Sequence, residues 1–281
     1  MTRPENLDPA VVAGFGDEWR RFDQSALAPD ELAKLAGQYF AGFPWDQLRD
    51  GAVGLDLGCG SGRWARFVAP RVGTLHCVDA SAEALGVARA NLHDLPNVVF
   101  HHASVDDIPV PDASLDFAYS LGVLHHVPDT AAGIASLVAK LKPGAPLLLY
   151  LYYAFDNRPR WFRLVWRASE LVRFGISRAP PPVRFALSQA VAGAVYWPMA
   201  RLARGAERAG LDVRHVPLAA YRDRSFYVMR TDALDRFGTR LEQRFTQAEI
   251  AAMMERAGLA NVRFSEGPPY WCATGTRDVV R

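Results

Sequence analysis

"LDLGCGSGRW", residues 55–64, contains the most informative pattern of this sequence. An aliphatic run that carries Asp56 ends in three glycines at alternating positions, Gly58, Gly60 and Gly62. A glycine turn between a strand and a helix brings backbone N–H groups close to a ligand. The turn is therefore a candidate site for a dinucleotide, for a nucleoside without phosphates, or else only a tight corner.

The spacing of the glycines argues against a dinucleotide. The pattern G-x-G-x-x-G needs a third glycine where the helix packs on the strand, and counting from Gly58 that position is Arg63. Asp56 also precedes the turn, and a carboxylate there repels a pyrophosphate but suits a cationic or zwitterionic ligand. Asp79 ends the next apolar run, where an acidic residue can accept both hydroxyls of a ribose.

Short apolar runs and helical patterns alternate from residue 52 onwards. Strands are predicted at 52–57, 74–80, 98–103, 115–121 and 145–153, and helices at 63–72, 81–92 and 130–141. Ser81 is the expected N-cap of the second of these helices. Thr246 and Glu249 form a capping-box pattern before a helix that Gly258 ends, and closing strands are predicted at 261–267 and 271–277. This order predicts an α/β fold, a Rossmann-like, doubly wound, seven-stranded and mostly parallel sheet.

The remaining sequence predicts two helical additions to this sheet. Residues 1–50 space their apolar residues as helices and are predicted to cover the core, which comprises 51–153 and 241–281. Residues 154–240, after the fifth strand, are rich in arginine and aromatic residues and are predicted to form a helical substrate lid. The apolar run 186–200 within them is interrupted by Ser188, Gln189 and Pro198, which disfavours a membrane span.

Charge is distributed unevenly along the chain. Residues 155–230 contain fourteen Arg, no Lys and five acidic residues, a net charge of +9, whereas the whole chain carries +2. We therefore expect this segment to bind an anionic group, since arginine forks grip carboxylate or phosphate and aromatic rings stack on flat groups. The candidate substrate-binding residues are Tyr153, Arg158, Tyr221, Arg222, Arg224 and Arg230. The alternative is that these arginines only pair with the acidic remainder of the chain.

Cysteine usage and the first residues indicate a cytoplasmic protein. Cys59, Cys77 and Cys272 are widely spaced, which predicts buried thiols and neither a disulfide framework nor a metal site. The sequence begins without the apolar region of a signal peptide, and no transmembrane segment is predicted.

Four ordered motifs resemble the class I S-adenosylmethionine-dependent methyltransferases. "LDLGCGSGRW" is similar to their first motif and "LHCVDAS" to their acidic second-strand end. "DASLDFAYSLGVLHHVPD" and "LKPGAPLLLYLYY" resemble the fourth and fifth strands of the ubiquinone/menaquinone-methyltransferase-like branch, methyltransferase domain type 11/25. The resemblance is strong over 52–153 and looser over 246–276. It implies S-adenosyl-L-methionine as cofactor and S-adenosyl-L-homocysteine as product.

The resemblance also implies which residues hold the cofactor. The glycines would bring backbone to its methionine and ribose, Asp79 would bind the ribose, and Ala80 would lie beside the adenine. Where the family has an acidic residue for the adenine amino group, this sequence has Ser104, and Asp106 is the alternative. The complete cofactor-binding set is Asp56, Gly58, Gly60, Gly62, Asp79, Ala80, Ser104, Val105, Ser120 and Leu121.

His125 and His126 follow the fourth strand, and Tyr152 ends the fifth. These three are the catalytic candidates, since an imidazole there can remove a proton from a hydroxyl or amine as the methyl group arrives. The alternative for the histidines is a helix cap or a packing role in the wall. His101 and His102, along the third strand, are interpreted as structural.

The resemblance implies methyl transfer from S-adenosylmethionine to O, N or C of an acceptor, without a metal. The basic segment 155–230 adds the expectation that the acceptor is small and anionic. A nucleic-acid methyltransferase using the basic segment is the first alternative, although the nearly neutral overall charge and the missing lysines disfavour it. An NAD-type oxidoreductase and a catalytically silent cofactor-binding relative are the others. The sequence leaves a homodimer open.

Overall fold

The computed structural model describes residues 5–279 and divides into two compact units. One, the sheet unit, comprises the chain up to Ala154 together with the part from Leu241 onwards. The other, the helical unit, is Phe155–Arg240. Each unit is described by itself.

Within residues 5–279, the sheet unit contains one sheet of seven strands in the order β3-β2-β1-β4-β5-β7-β6. The strands are β1 Val53–Leu57, β2 Thr74–Asp79, β3 Val98–His102, β4 Phe117–Leu121, β5 Pro146–Tyr150, β6 Leu259–Phe264 and β7 Cys272–Arg277. The first five pair in parallel, and β7 runs antiparallel to both β5 and β6. The predicted seven-stranded, mostly parallel sheet is confirmed.

The strand order reverses next to β1, and this reversal positions the candidate site. From β1 the chain proceeds outward through β2 and β3, then returns to β4 on the other side. The connections that follow β1 and β4 therefore lie on opposite faces of the sheet. A crevice opens between the carboxyl ends of these two strands. The turn 58–62 follows β1 directly, and Leu121 ends β4.

Six helices of the sheet unit surround this sheet within the described chain. They are α1 Pro9–Arg21, α2 Pro29–Tyr39, α3 Arg63–Val68, α4 Ala82–Asn91, α5 Thr130–Lys140 and, at the far end of the chain, α10 Gln247–Arg256. The Ser81 hydroxyl accepts from the backbone N–H of Ala84, so the predicted N-cap of α4 is confirmed. Thr246 and Glu249 form both bonds of the predicted capping box at α10.

The core of the sheet unit lies on both faces of its central strands. All five residues of β4 are buried, as are four of the five in β1, which explains their nearly continuous apolar sequence. A Cβ at Gly54 would lie 2.0 Å from Cζ of Phe117, so the Phe117 ring can pack across β1 only because residue 54 is glycine. Cys59, Cys77 and Cys272 are buried free thiols, as predicted.

The helical unit has its own small core. Its helices are α6 Arg160–Ser177, α7 Pro181–Val191, α8 Trp197–Arg208 and α9 Phe226–Gly238, and a π-helical turn, Ala192–Tyr196, joins α7 to α8. Prolines at the start of α7 separate it from α6. Ile176, Tyr196, Met229 and Phe237 are buried against one another. The predicted helical character of 154–240 is confirmed, whereas its role as a lid stays a prediction.

Among residues 5–279, no helix is both long enough and apolar enough to span a bilayer.

Candidate cofactor and active site

The glycine turn connects β1 to α3 in a conformation that requires glycine. Gly58, Gly60 and Gly62 have φ angles of +77°, +54° and +76°, in the left-handed region. The backbone N–H of Gly58 donates to the Val78 carbonyl at 2.7 Å, which fastens the turn to β2. A Cβ at Gly58 would lie 2.4 Å from the Val123 side chain. The turn is thus both conformationally strained for other residues and closely surrounded.

The other two glycines allow close approach by neighbouring helices. A Cβ at Gly60 would lie 2.8 Å from the indole of Trp19 on α1. A Cβ at Gly62 would lie 2.7 Å from Leu92, directly after α4. Gly62 therefore provides close packing one residue earlier than the third glycine of the dinucleotide pattern would. No local sequence pattern indicates this packing role of Gly62.

Asp56 is a buried carboxyl group beneath the turn. Tyr119 donates its hydroxyl to Oδ2 of Asp56 at 2.9 Å, and Oδ1 has no hydrogen-bond partner among residues 5–279. Burial raises the pKa of Asp56 to about 8; the Tyr119 bond opposes this rise and the charge of Asp79 adds to it. An unpartnered buried carboxyl oxygen is costly, and a cation beside it would offset that cost. The residues of the turn therefore fit a positively charged ligand.

Asp79 fastens the glycine turn to the start of α4. Its Oδ2 accepts from the Gly60 backbone N–H and its Oδ1 from that of Ser81, both at 2.8 Å. Burial raises the pKa of Asp79, and these two hydrogen bonds oppose the rise. Each carboxylate oxygen retains further acceptor capacity, so ribose hydroxyls can bind without disrupting the turn.

The remaining predicted cofactor residues lie just after β2 and β3 and in the last two positions of β4. The carbonyl of Ala80 is 3.0 Å from Nε2 of His102, and Ser104 and Val105 are both buried after β3. The Ser120 hydroxyl donates to the Leu57 carbonyl at 3.0 Å, so it ties β4 to β1. Leu121 is buried at the end of β4.

Asp106, the alternative to Ser104, already has a partner. Its carboxylate accepts a hydrogen bond from the Asn6 backbone N–H. The Asn6 side chain in turn exchanges bonds with the backbone of Asp129. These bonds anchor the start of the described chain beside α5.

The structure brings the three catalytic candidates together. The His125 ring lies 3.8 Å from that of Tyr152, nearly parallel at 28°, and 4.0 Å from that of His126, measured between centroids. Nδ1 of His126 lies 2.7 Å from the Leu241 carbonyl. His125 is fully buried, and neither of its ring nitrogens has a hydrogen-bond partner within residues 5–279.

Burial sets the protonation state of His125. It lowers the pKa of the imidazole well below its usual value, and the neighbouring His126 and Arg244 lower it further. The ring is therefore neutral at physiological pH, with one nitrogen available as an acceptor. A neutral, unpartnered imidazole in this position can receive a proton, although its low pKa makes it a weak base.

Arg244 is a site residue that the sequence analysis missed. Its Nε donates to the Glu242 carboxylate at 2.8 Å, and its guanidinium lies 5.0 Å from the centroid of the Tyr152 ring. Its Nη1 donates to the Tyr153 carbonyl at 3.3 Å. The only sequence signal was an arginine two residues before the Thr246 capping box. Nothing in that pattern indicates which strand end it contacts.

The substrate-binding candidates lie in both units. Tyr153, in the sheet unit, has its ring 5.6 Å from that of Tyr270. In the helical unit, Tyr221 contacts Tyr196, with ring centroids 5.2 Å apart. Arg222 pairs with Glu207 at 2.7 Å.

Two other candidate arginines, Arg230 and Arg158, also donate hydrogen bonds inside the helical unit. Arg201 donates to the carbonyls of Arg222 and Arg224 at 3.3 and 3.2 Å. Arg230 donates to the Gln189 side chain at 2.6 Å. Arg158 donates to the Arg214 carbonyl. These contacts agree with a structural role and leave substrate binding untested.

His101 contacts another histidine of the sheet. His101 Nε2 lies 2.9 Å from Nδ1 of His76, which fits the predicted structural role. No group of three or more His, Cys, Asp or Glu within residues 5–279 is arranged to hold a metal ion.

Comparison with known proteins agrees with this geometry. Residues 55–144 match the family model described as a methyltransferase domain. A ubiquinone biosynthesis O-methyltransferase of Aromatoleum aromaticum is 33% identical over 144 residues, 50% of this chain and 60% of the relative. The 27-O-demethylrifamycin SV methyltransferase of Amycolatopsis mediterranei is 33% identical over 135 residues, 45% of this chain and 47% of the relative. The chain thus spans less than two thirds of the length of these curated relatives.

Solved structures share the fold over most of the chain. One belongs to the complex between the Haloferax volcanii Trm112 methyltransferase activator and a putative methyltransferase; its TM-score is 0.55 at 17% identity, covering 94% of this chain and 97% of the other. An S-adenosylmethionine-dependent methyltransferase of Mesorhizobium loti has a TM-score of 0.52 at 20% identity, covering 88% and 100%. These likenesses show the fold, and they agree with the methyltransferase domain matched by sequence. Residues 55–144 match the methyltransferase domain, and the findings together support a class I S-adenosylmethionine-dependent methyltransferase.

Proposed function

We propose that this protein transfers a methyl group from S-adenosylmethionine to O, N or C of a small, anionic acceptor. The observation that carries the proposal is the unpartnered Oδ1 of Asp56, buried under a glycine turn at the reversal of strand order. A buried carboxyl group with an unused oxygen favours a positively charged ligand. A pyrophosphate at the same position would leave the carboxyl group neutral and gain no charge pairing with it.

The cofactor would be held by the turn and by the strand ends around it. Backbone of Gly58 and Gly60 would approach its amino-acid part and ribose, and Asp79 would accept from the ribose hydroxyls. Asp56 would offset its positive charge. When bound, this cofactor supplies a methyl group already activated by its attachment to a sulfonium.

The residues of this chain would mainly position the acceptor and receive its proton. Neutral His125 stacks on Tyr152, and the Arg244 guanidinium lies 5.0 Å from the centroid of the same Tyr152 ring, so these groups hold one another in fixed orientations. A hydroxyl or amine acceptor would transfer its proton to an imidazole nitrogen as the new bond forms. Such a proton transfer contributes about 10²–10⁴-fold to a rate, and orientation and exclusion of water contribute the rest.

The acceptor class is inferred from the charge of the helical unit. Residues 155–230 carry a net charge of +9, entirely from arginine on the positive side. The relatives whose names mention ubiquinone biosynthesis and rifamycin act on small molecules by those names, which supports a small acceptor.

A direct test uses labelled S-adenosylmethionine with a panel of anionic and neutral small acceptors and with transfer RNA. We expect methylation of an anionic small molecule and no incorporation into RNA. Incorporation into RNA alone would replace the proposed acceptor class, and tight binding of NAD in place of S-adenosylmethionine would overturn the activity itself.

The role of the arginines is tested with a matched pair of variants. Arg222→Gln removes a candidate contact, whereas Glu207→Gln removes only the carboxylate that pairs with it at 2.7 Å. If Arg222 binds the acceptor, Arg222→Gln raises the acceptor KM and leaves cofactor affinity unchanged, while Glu207→Gln leaves both nearly unchanged. Equal acceptor KM values for wild type and Arg222→Gln would exclude this residue from substrate binding.

A further inference from the structure

Helix α6, Arg160–Ser177, has three distinct faces. One face packs inside the helical unit: Ile176 and Ser177 are buried, and Phe155 contacts both Phe162 and Trp166, with ring centroids 5.2 and 5.5 Å apart. This face holds the helix in place and leaves the rest of its circumference accessible.

The second face is apolar and exposed. The exposed fractions reach 48% at Trp161, 63% at Leu164 and 79% at Leu171. The residues of this face recur at intervals of three and four and are Trp161, Leu164, Val165, Ala168, Leu171 and Val172. At 3.6 residues per turn, they occupy an arc of about 120°, as wide as the stripe that usually faces a protein core. Scattered surface leucines are common, but a continuous exposed stripe of this width calls for a partner.

The third face is a row of arginines beside this stripe. Arg160, Arg163 and Arg167 are exposed, and none has an ion-pair partner among residues 5–279. Two glutamates of the unit pair with other arginines, Glu170 with Arg173 and Glu207 with Arg222. Three positive charges therefore line one edge of the apolar stripe without compensation.

We infer that α6 is a membrane-docking surface that lies in the plane of an anionic lipid bilayer. A helix with tryptophan and leucine on one face, arginines beside it and low overall hydrophobicity binds at the boundary of headgroups and acyl chains. The stripe would enter that boundary, Trp161 would lie at the level that tryptophan prefers, and the arginine row would contact anionic headgroups.

The arginine row favours a lipid surface over a second copy of this chain. Packing two α6 stripes together would bring two uncompensated arginine rows close to each other, and like charges at an interface disfavour association. An anionic bilayer supplies both an apolar layer and the opposite charge. This surface is independent of the proposed methyl transfer.

The first experiment is co-sedimentation of the full chain with vesicles. We expect binding to mixed phosphatidylcholine–phosphatidylglycerol vesicles, weak binding to pure phosphatidylcholine, and loss of binding as salt rises. The double variant Leu164→Glu/Leu171→Glu should bind at least about tenfold more weakly, because two charges would enter the apolar layer. Arg163→Gln should weaken binding about fivefold.

Matched controls change equally exposed residues of the sheet unit. Val279, exposed by 74%, is replaced by glutamate, and Arg256, exposed on α10, by glutamine. Neither substitution should change vesicle binding. Unchanged far-UV circular dichroism and unchanged S-adenosylmethionine affinity of the α6 variants show that they remain folded.

A second measurement does not depend on the charged variants. Phosphatidylglycerol vesicles with brominated acyl chains should quench tryptophan fluorescence of the wild type, and much less that of Trp161→Phe. Absence of wild-type binding to anionic vesicles would overturn the inference, as would equal quenching in Trp161→Phe. A dimer that Leu164→Glu/Leu171→Glu dissociates, with no vesicle binding by the wild type, would also overturn it and assign the face to a second copy.

Discussion

The two units of this protein place their charged residues in opposite environments. In the sheet unit, Asp56 is buried under the glycine turn, and burial raises its pKa to about 8. In the helical unit, Arg160, Arg163 and Arg167 are exposed, where water solvates them at little cost. A buried unpartnered carboxyl group is expensive and therefore indicates a ligand. An exposed arginine costs little free energy, so only its arrangement beside other residues is informative.

The largest expected effect comes from the backbone of the sheet unit. Gly58→Val adds a branched side chain at a φ of +77°, with its Cβ 2.4 Å from Val123. The left-handed conformation costs about 1–2 kcal/mol and overpacking about 1–3 kcal/mol. Together these costs, about 2–5 kcal/mol, correspond to a factor of about thirty at the lower end. We expect S-adenosylmethionine affinity, measured by titration calorimetry, to fall by at least this factor.

Gly86→Ala is the control for this change. Gly86 is an exposed residue of α4, and an added Cβ there meets nothing within 4 Å. Alanine should increase the free energy of unfolding by about 0.5–1 kcal/mol and leave affinity unchanged. Wild-type affinity in Gly58→Val would mean that the turn does not form the cofactor site.

The second prediction concerns the buried histidine of the sheet unit. His125→Phe keeps a ring against Tyr152 but removes two buried nitrogens without partners. Removing such groups should increase the free energy of unfolding by about 1–3 kcal/mol, while loss of a proton acceptor should lower kcat by about 10²–10⁴-fold. Chemical denaturation and single-turnover kinetics measure the two effects separately.

His101→Phe offers the contrasting case. His101 Nε2 lies 2.9 Å from Nδ1 of His76, so this substitution should lower stability and leave kcat unchanged. A His125→Phe variant with wild-type kcat would assign His125 to packing alone.

The smallest expected effect is a change of Tm with pH, which compares the buried carboxyl group of Asp56 with an exposed arginine. Because the folded-state pKa of Asp56 is about 8 and its ordinary value is 3.8, the neutral carboxyl is favoured in the folded state. Its contribution to stability is fully present below pH 3.8, is lost progressively as pH rises, and levels off above about 8. The Tm advantage of Asp56→Asn over wild type, without cofactor, should therefore grow between pH 5 and 8 and then remain constant.

Arg163→Gln provides the comparison in the helical unit. Arg163 is exposed and its replacement buries or releases no charged group, so the variant should follow the wild-type Tm curve. A pH-independent difference between Asp56→Asn and wild type would show that Asp56 is ionised in the folded protein.

The fold was largely predictable because the short apolar runs of its strands and the helical spacing of its apolar residues are both visible in the sequence. The apolar runs of β1, β4 and β5 are buried on both faces, and the caps at Ser81 and Thr246 use local bonds that a few residues determine. The helical character of 154–240 was predictable because the series of strands stops at residue 153, but the exposed apolar stripe of this segment was not. Spacing shows which residues share a face of a helix and does not show whether another element covers that face.

The site was predictable where one turn contains it and less so where distant segments meet. Asp56 and the three glycines lie in seven consecutive residues, so their proximity follows from the chain itself. Arg244 reaches Tyr152 from a segment about ninety residues away, through pairing of Tyr153 with Phe245 that no local pattern indicates. The packing of Gly62 against Leu92 was missed for the same reason.

The central claim is that Asp56 recognises a positive charge on the cofactor, and proton release on binding tests it most directly. Asp56 is mostly protonated at pH 7 in the free protein, since its pKa is about 8, and a bound cation favours the carboxylate. Titration calorimetry at pH 7, in buffers with different enthalpies of ionisation, counts the protons released with S-adenosylmethionine. We expect the wild type to release close to one proton more than Asp56→Asn. Equal proton release by the two proteins, or equal affinity, would contradict the account.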